Sequence, residues 1–335
     1  MPVCRVAPYQ QQHPRGYPRS TGYYSDLSHP KSQIMQSLKS RLLYHFVKYQ
    51  LAKLARLNLP LAEYRLAREA AAMRLFKMPP GVTVEVAPGG GCRGEWLLPD
   101  VLEGQGIVLY LHGGAYTGGS CITHRALASR LAAASKHRVF NLDYRLAPEY
   151  PFPAALEDAV ATYSELSVAN PGAPIAISGD SAGAGLALAL AIKLRDEGIA
   201  APAALALMSP WTDLALTNGS HQSKAAMDPY FPTTERLKLA ARHYAGDTDL
   251  RHPLVSPHYA DVQKLPPTLI HVGTLEALLD DSLTLAKRMN AQGSKASVKE
   301  FPGMWHVWQT LQGRMREADQ SVQELGTFLG IHLGR

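Results

Sequence analysis

The stretch Pro174-Ile-Ala-Ile-Ser-Gly-Asp-Ser181-Ala-Gly-Ala-Gly-Leu-Ala-Leu-Ala-Leu-Ala-Ile192 decides the fold. Its first residues form a short apolar run of strand type, and its last form an Ala/Leu-rich helix. Between them Gly179-Asp-Ser-Ala-Gly183 fits Gly-x-Ser-x-Gly. So sharp a strand-to-helix turn requires small residues two before and two after the serine. The hydroxyl then stands at the carboxyl end of a sheet, near the positive end of a helix dipole. As a bare pattern the motif occurs by chance; the strand–turn–helix setting gives it weight.

Outward from this turn, short apolar runs recur at Ile107–His112, Val139–Asp143, Ile175–Gly179, Ala204–Ser209, Thr268–Gly273 and Ser297–Phe301. Helical stretches separate several of them: Arg125–Lys136, Pro153–Ala169, Gly183–Glu197 and Leu278–Gln292. Buried strands alternating with helices predict an α/β fold, a mostly parallel central sheet with helices on both faces. Val82–Val86 and Arg93–Leu98, joined through Pro88-Gly-Gly-Gly, read as a hairpin. From Trp211 to Val262 the rhythm breaks, with one helical stretch at Thr234–Ala245, so this part reads as an insertion. No internal repeat is found.

Composition narrows the class. Of 335 residues, 46% are hydrophobic, which excludes wholesale disorder. No apolar run approaches the ~20 residues of a membrane-spanning helix, and the first residues lack the apolar core of a secretory signal. Cys4, Cys92 and Cys121 form no CxxC pair, which fits a reducing, cytoplasmic setting without disulfides. The net charge of +6 is unevenly placed. Residues 1–70 hold 11 Lys/Arg against 3 Asp/Glu, and the rest hold 23 against 25. A nucleic-acid enzyme would carry its basic stripe around its site, so nucleic acid is not an expected partner. Residues 1–30 read as a loosely packed arm. Residues 32–57 and 61–75 read as two helices, with Ile34, Met35, Leu38, Leu42, Phe46, Tyr49, Leu54 and Leu57 as the packing stripe of the first.

A serine nucleophile needs donors for an oxyanion, a base and an acid. His112-Gly113-Gly114-Ala115 follows a strand, and two glycines let backbone N–H groups approach a substrate. Gly113 and Gly114 would supply two donors, and Ala182, just after the nucleophile, a third. His112 sits at a strand end before the serine and reads as a loop brace. Seven histidines follow Ser181. His306 comes after a strand and the turn Pro302-Gly303, where a base must reach back to the serine. The acid belongs on the loop after Thr268–Gly273, where Glu276, Asp280 and Asp281 all lie. Glu276 is favoured because it sits on the loop itself. Asp280 remains the alternative, since a carboxylate at a helix start also stabilises that helix.

With these residues placed, the chain resembles the hormone-sensitive-lipase-like branch of the α/β-hydrolases, the bacterial family IV esterases. The resemblance is carried by His112-Gly-Gly-Ala, Thr123-His-Arg, Asp143-Tyr-Arg-Leu-Ala-Pro-Glu, Phe152-Pro-Ala-Ala-Leu-Glu-Asp, Gly179-Asp-Ser-Ala-Gly, Ser209-Pro-Trp and Leu265-Pro-Pro. Two departures stand out: Ala115 replaces a third glycine, and Glu276 stands where the family pattern has aspartate. The resemblance implies an α/β-hydrolase fold with a helical cap. Residues 1–75 would form its N-terminal part and 211–262 its insertion, over a catalytic domain of 76–210 and 263–335. Tyr116, Trp211 and Phe231 become candidates to line the substrate pocket. Asp143, Arg145 and Glu149 are expected to form a polar brace.

The activity expected is hydrolysis of a small-molecule carboxylic ester of short-to-medium acyl length, through an acyl-enzyme, with no metal or organic cofactor. Lactone, amide or carbamate hydrolysis shares the same triad. A membrane-surface lipase docked by the basic helix is a further alternative, and a non-catalytic binder would lack the base. Self-association is left open.

Overall fold

The computed structural model describes residues 36–87 and 93–334. The arm expected over residues 1–30, the Pro88-Gly-Gly-Gly turn, Cys4 and Cys92 lie outside the described residues. Along the chain run α1 (Leu38–Arg56), α2 (Leu61–Leu75), β1 (Val82–Val86), β2 (Gly94–Pro99), β3 (Ile107–Leu111), α3 (Cys121–Ser135), β4 (Arg138–Leu142), α4 (Ala154–Ala169), β5 (Ile175–Asp180), α5 (Ala182–Asp196), β6 (Leu205–Met208), α6 (Ser220–Ser223), α7 (Glu235–Ala245), β7 (Thr268–Gly273), α8 (Leu279–Ala291), β8 (Ala296–Phe301) and α9 (Arg316–His332).

The strands form one eight-stranded sheet in the order β1-β2-β4-β3-β5-β6-β7-β8. β1–β2 and β2–β4 are antiparallel and every other pairing is parallel. The mostly parallel sheet expected from the alternation of strands and helices is borne out. β3 shows why it is stable. All five of its side chains are buried, and they alternate between the sheet's two faces. Ile107, Leu109 and Leu111 join the core under α4, α5 and α8, while Val108 and Tyr110 join the one under α3 and α9. A strand covered on both sides must be apolar throughout.

The sequence reading had missed α9. Its Val322, Leu325 and Leu329 pack on the sheet beside Leu127 and Leu131 of α3. The spacing Ala318, Val322, Leu325, Leu329 is a helical stripe that could have announced it. On α1 the expected packing stripe needs correction. Leu38, Leu42, Tyr49 and Leu57 face solvent, and the docked face is Leu43, Tyr44 and Val47, against the 301–318 segment. Tyr44 meets Trp305 edge-on at 5.6 Å, and the Ser37 N–H donates to Glu317 Oε1 at 2.9 Å. Apolar residues occur all round this helix, so periodicity could not choose the docked face. Among the described residues, no helix is long and apolar enough to cross a membrane.

Candidate active site

β5 delivers the chain into the turn at Ser181, where φ is 55° and ψ is −123°. That left-handed conformation costs on the order of 1–3 kcal/mol in a non-glycine residue. Two backbone bonds hold it: the Ser181 N–H donates to Met208 O at 2.9 Å, and the Trp211 N–H donates to Ser181 O at 3.0 Å. The flanking glycines are required by contact. A Cβ on Gly179 would come within 2.7 Å of Leu111 O. One on Gly183 would collide with the Leu111 and His112 carbonyls.

The structure brings Ser181, His306 and Glu276 into one hydrogen-bonded chain. His306 Nε2 lies 2.8 Å from Ser181 Oγ, and His306 Nδ1 lies 3.0 Å from Glu276 Oε2. The other Glu276 oxygen accepts from the Ser209 hydroxyl at 2.8 Å and the Gly273 N–H at 2.5 Å. Both lone-pair sets of this fully buried carboxylate are therefore used. Burial alone would lower the His306 imidazole. The hydrogen bond and charge of Glu276, with the Asp228 and Asp180 charges behind it, hold it above its ordinary 6.5.

Asp280 and Asp281 do other work. Asp280 Oδ2 accepts from the Ser220 N–H at 2.8 Å. Asp281 Oδ1 accepts from the Thr212 and Asp213 N–H groups at 2.8 Å each, and Oδ2 meets His221 Nε2 at 2.6 Å. These two carboxylates fasten the 211–262 segment to the start of α8.

Asp228 was missed from the sequence. It is 1% exposed, and its carboxylate accepts from the Ala277 N–H and the Tyr230 N–H, both at 3.1 Å. It thus ties the insertion to the residue after Glu276. Burial pushes its carboxyl up to about 6; the facing His306 opposes that rise and the Glu276 charge adds to it. No local pattern in Ala-Met-Asp228-Pro announces such a role.

The oxyanion assignment is corrected at one position. Gly113 donates its N–H to Asp180 Oδ1 at 3.0 Å, so that donor is already committed. Tyr110 donates to the same oxygen at 2.6 Å, and His124 Nε2 lies 3.4 Å from Oδ2. Burial opposes ionisation of Asp180, yet these partners bring its carboxyl down to about 2. Among the described residues, the N–H groups of Gly114, Ala115 and Ala182 have no protein acceptor. His112 is a brace: its ring stacks on Tyr144 at 4.2 Å and its carbonyl accepts the Tyr144 hydroxyl at 2.6 Å. Burial lowers its imidazole to about 4. Asp143, Arg145 and Glu149 also make bracing contacts, and Arg65 of α2 clasps Glu149 while donating to Thr117 O and Ala147 O at 2.8 Å each.

A cavity of about 430 Å³ opens above Ser181. Leu54, Leu59 and Tyr64 wall one side and Tyr230, Phe231 and Leu239 another, so both irregular parts of the chain border it. Phe231 lies 4.8 Å from the His306 ring, as a lining residue should. Tyr116 and Trp211 are corrected. Tyr116 turns inward and stacks on Tyr244 at 3.6 Å, and Trp211 is wholly buried with its indole N–H on Asp213 O. Sequence cannot distinguish an aromatic facing a cavity from one beneath it. Among the described residues, no His/Cys/Asp/Glu cluster could hold a metal ion.

A strained serine between strand and helix, hydrogen-bonded through histidine to a buried carboxylate, defines the serine-hydrolase class. A family model for the alpha/beta hydrolase fold matches residues 108–310. The chain belongs to that family. It is 43% identical over 258 residues to an acetyl-hydrolase of Streptomyces hygroscopicus, covering 77% of this chain and 85% of that one. It is 37% identical over 258 residues to an esterase of Acinetobacter venetianus, covering 76% and 84%. A solved esterase of the bacterial hormone-sensitive lipase family is 37% identical, with a TM-score of 0.82 over 89% of this chain and 99% of that one. The resemblance to the hormone-sensitive-lipase-like branch is borne out, and the chain is a carboxylic-ester hydrolase.

Proposed function

We propose that this ester hydrolase acts on short-to-medium acyl esters of small molecules through an acyl-enzyme on Ser181. The observation that carries the reading is the Ser181–His306–Glu276 chain at the floor of a cavity of about 430 Å³. His306 Nε2 takes the Ser181 proton as Oγ attacks the ester carbonyl. The Gly114 and Ala182 N–H groups, with Ala115 beside them, receive the charge that develops on the carbonyl oxygen. His306 returns the proton to the leaving alcohol, and water then repeats the sequence on the acyl-enzyme. Glu276 holds the Nδ1–H tautomer and offsets the imidazolium charge. No step calls for a metal or an organic cofactor. α1, α2 and residues 211–262 act as the cap, which supports an acyl group bounded in length. The buried Cys121 and the sparse cysteines fit a cytoplasmic setting.

The test is a series of 4-nitrophenyl esters from acetate to palmitate, with Ser181→Ala alongside. Turnover should be greatest on the shorter esters and fall by about 10⁴–10⁶ in the variant. Near-wild-type turnover by Ser181→Ala would refute the nucleophile assignment.

A further inference from the structure

The catalytic cavity is lined by Arg68 and Arg236 against one carboxylate, Asp180. It adjoins a second cavity of about 310 Å³ between α1, α2 and the body, and Arg68 borders both. Together their walls carry Lys53, Arg68, Arg74, Arg236 and Arg314 but one carboxylate, Asp180. The whole chain is far more balanced, with 34 basic and 28 acidic side chains. Asp180 is an ionised carboxylate, but its oxygens are already turned to Gly113, Tyr110 and His124 and away from the arginines. A cleft with cations of one sign and low-dielectric walls concentrates field on whatever enters it.

Two arginines one turn apart on α2 show what is unusual. The guanidinium of Arg65 is fully engaged, by Glu149 and by the carbonyls of Thr117 and Ala147. Its work is to fasten α2 to the loop after Gly114. Arg68 is half-buried and, among the described residues, makes no ion pair. Its guanidinium lies 6.0 Å from the centre of the Tyr64 ring. Burial raises the Tyr230 phenol, and the Arg68 charge is the foremost influence opposing it, so the two side chains share one space. The Tyr230 ring stands 5.8 Å from His306. Arg68 is therefore a cation beside the catalytic site that an incoming anion can pair with.

We propose that Arg68 binds a carboxylate carried by the ester substrate at a distance from its scissile bond. The inference rests on the ester-hydrolase reading and names its substrate class: monoesters that retain a free acid group. Arg68 is a specificity residue here, and the bond cleaved is still the ester attacked by Ser181.

The test compares two matched pairs. Mono-4-nitrophenyl glutarate against 4-nitrophenyl valerate places the charge on the acyl side. 4-Acetoxybenzoate against its methyl ester places it on the alcohol side. In one pair the wild-type kcat/KM should favour the charged member. In Arg68→Gln that charged-to-neutral ratio should fall about tenfold, the scale of one charge-assisted hydrogen bond. Arg68→Lys should recover part of it, and about 0.5 M salt should compress it in the wild type. A ratio that Arg68→Gln leaves unmoved, or rejection of the charged member in both pairs, overturns the proposal while neutral-ester turnover leaves the hydrolase reading standing. Failure of the wild type on every member removes both.

Discussion

Asp228 makes the energetics of the cap-to-site junction measurable. Its carboxyl rises from 3.8 to about 6 on folding. At 1.36 kcal/mol per unit, ionised Asp228 therefore costs the folded protein about 3 kcal/mol. The sign follows from linkage. Between pH 3.8 and about 6 the folded chain keeps this proton and the unfolded chain has lost it, so this contribution to stability falls as pH rises and is flat above about 6. Asp228→Asn removes the titration. It also loses an acceptor for either Ala277 N–H or Tyr230 N–H, which costs about 1–3 kcal/mol at every pH. The pH-independent loss cancels when the variant-minus-wild-type difference is taken at two pH values. Urea unfolding at pH 4.5 and 7.5 should show Asp228→Asn gaining on the wild type by ~2 kcal/mol between them, about two-thirds of the full effect. A difference that stays constant across that span would show that Asp228 is not a strained buried carboxylate, and would refute the electrostatic account of the junction.

Three further outcomes are expected. Glu276→Ala should lower kcat by about 10³–10⁴, whereas Asp280→Ala, which loses an acceptor for the Ser220 N–H, should cost ~1 kcal/mol of stability and little activity; the reverse pattern in a 4-nitrophenyl butyrate assay would move the acid to Asp280. Because His306 must be neutral to act as base and is held above 6.5, kcat/KM should fall as pH drops through a midpoint above 6.5, and a midpoint below 6 would contradict the influence of Glu276 and Asp228. Gly183→Ala should be destabilised by ~3 kcal/mol or more, because its Cβ meets two backbone carbonyls, while Gly172→Ala, with open space around it, should cost only about 1–2 kcal/mol for its positive φ; equal melting temperatures for the two variants would refute the contact argument.

Much of this was legible in the sequence because it is locally encoded. The Gly179–Gly183 turn carries its own constraints, and the apolar runs around it could be read as buried strands without knowing their neighbours. His306 was legible from its place after a strand and a tight turn. What stayed hidden depended on direction. Glu276, Asp280 and Asp281 lie within six residues; position on the loop favoured Glu276, but only the fold shows it meeting the imidazole. Gly113 and Gly114 are adjacent, yet one N–H serves Asp180 and the other has no acceptor among the described residues. Tyr116 and Phe231 are both large aromatics, yet one supports the core and the other faces the cavity. Asp228 has no motif because, apart from the Tyr230 N–H, the groups it meets, Ala277 and His306, are far along the chain.

By itself, then, the sequence determined the sheet, the elbow, the class of chemistry and the order of serine, acid and histidine. These follow from backbone preference, hydrophobic burial and spacing, which act over a few residues at a time. The tertiary structure decided which carboxylate meets His306, which amides of the glycine loop are left without an acceptor among the described residues, which side of α1 docks and which arginine of α2 borders the cavity. Each of those choices depends on where a side chain points relative to a segment tens to hundreds of residues away, and long-range packing sets that direction.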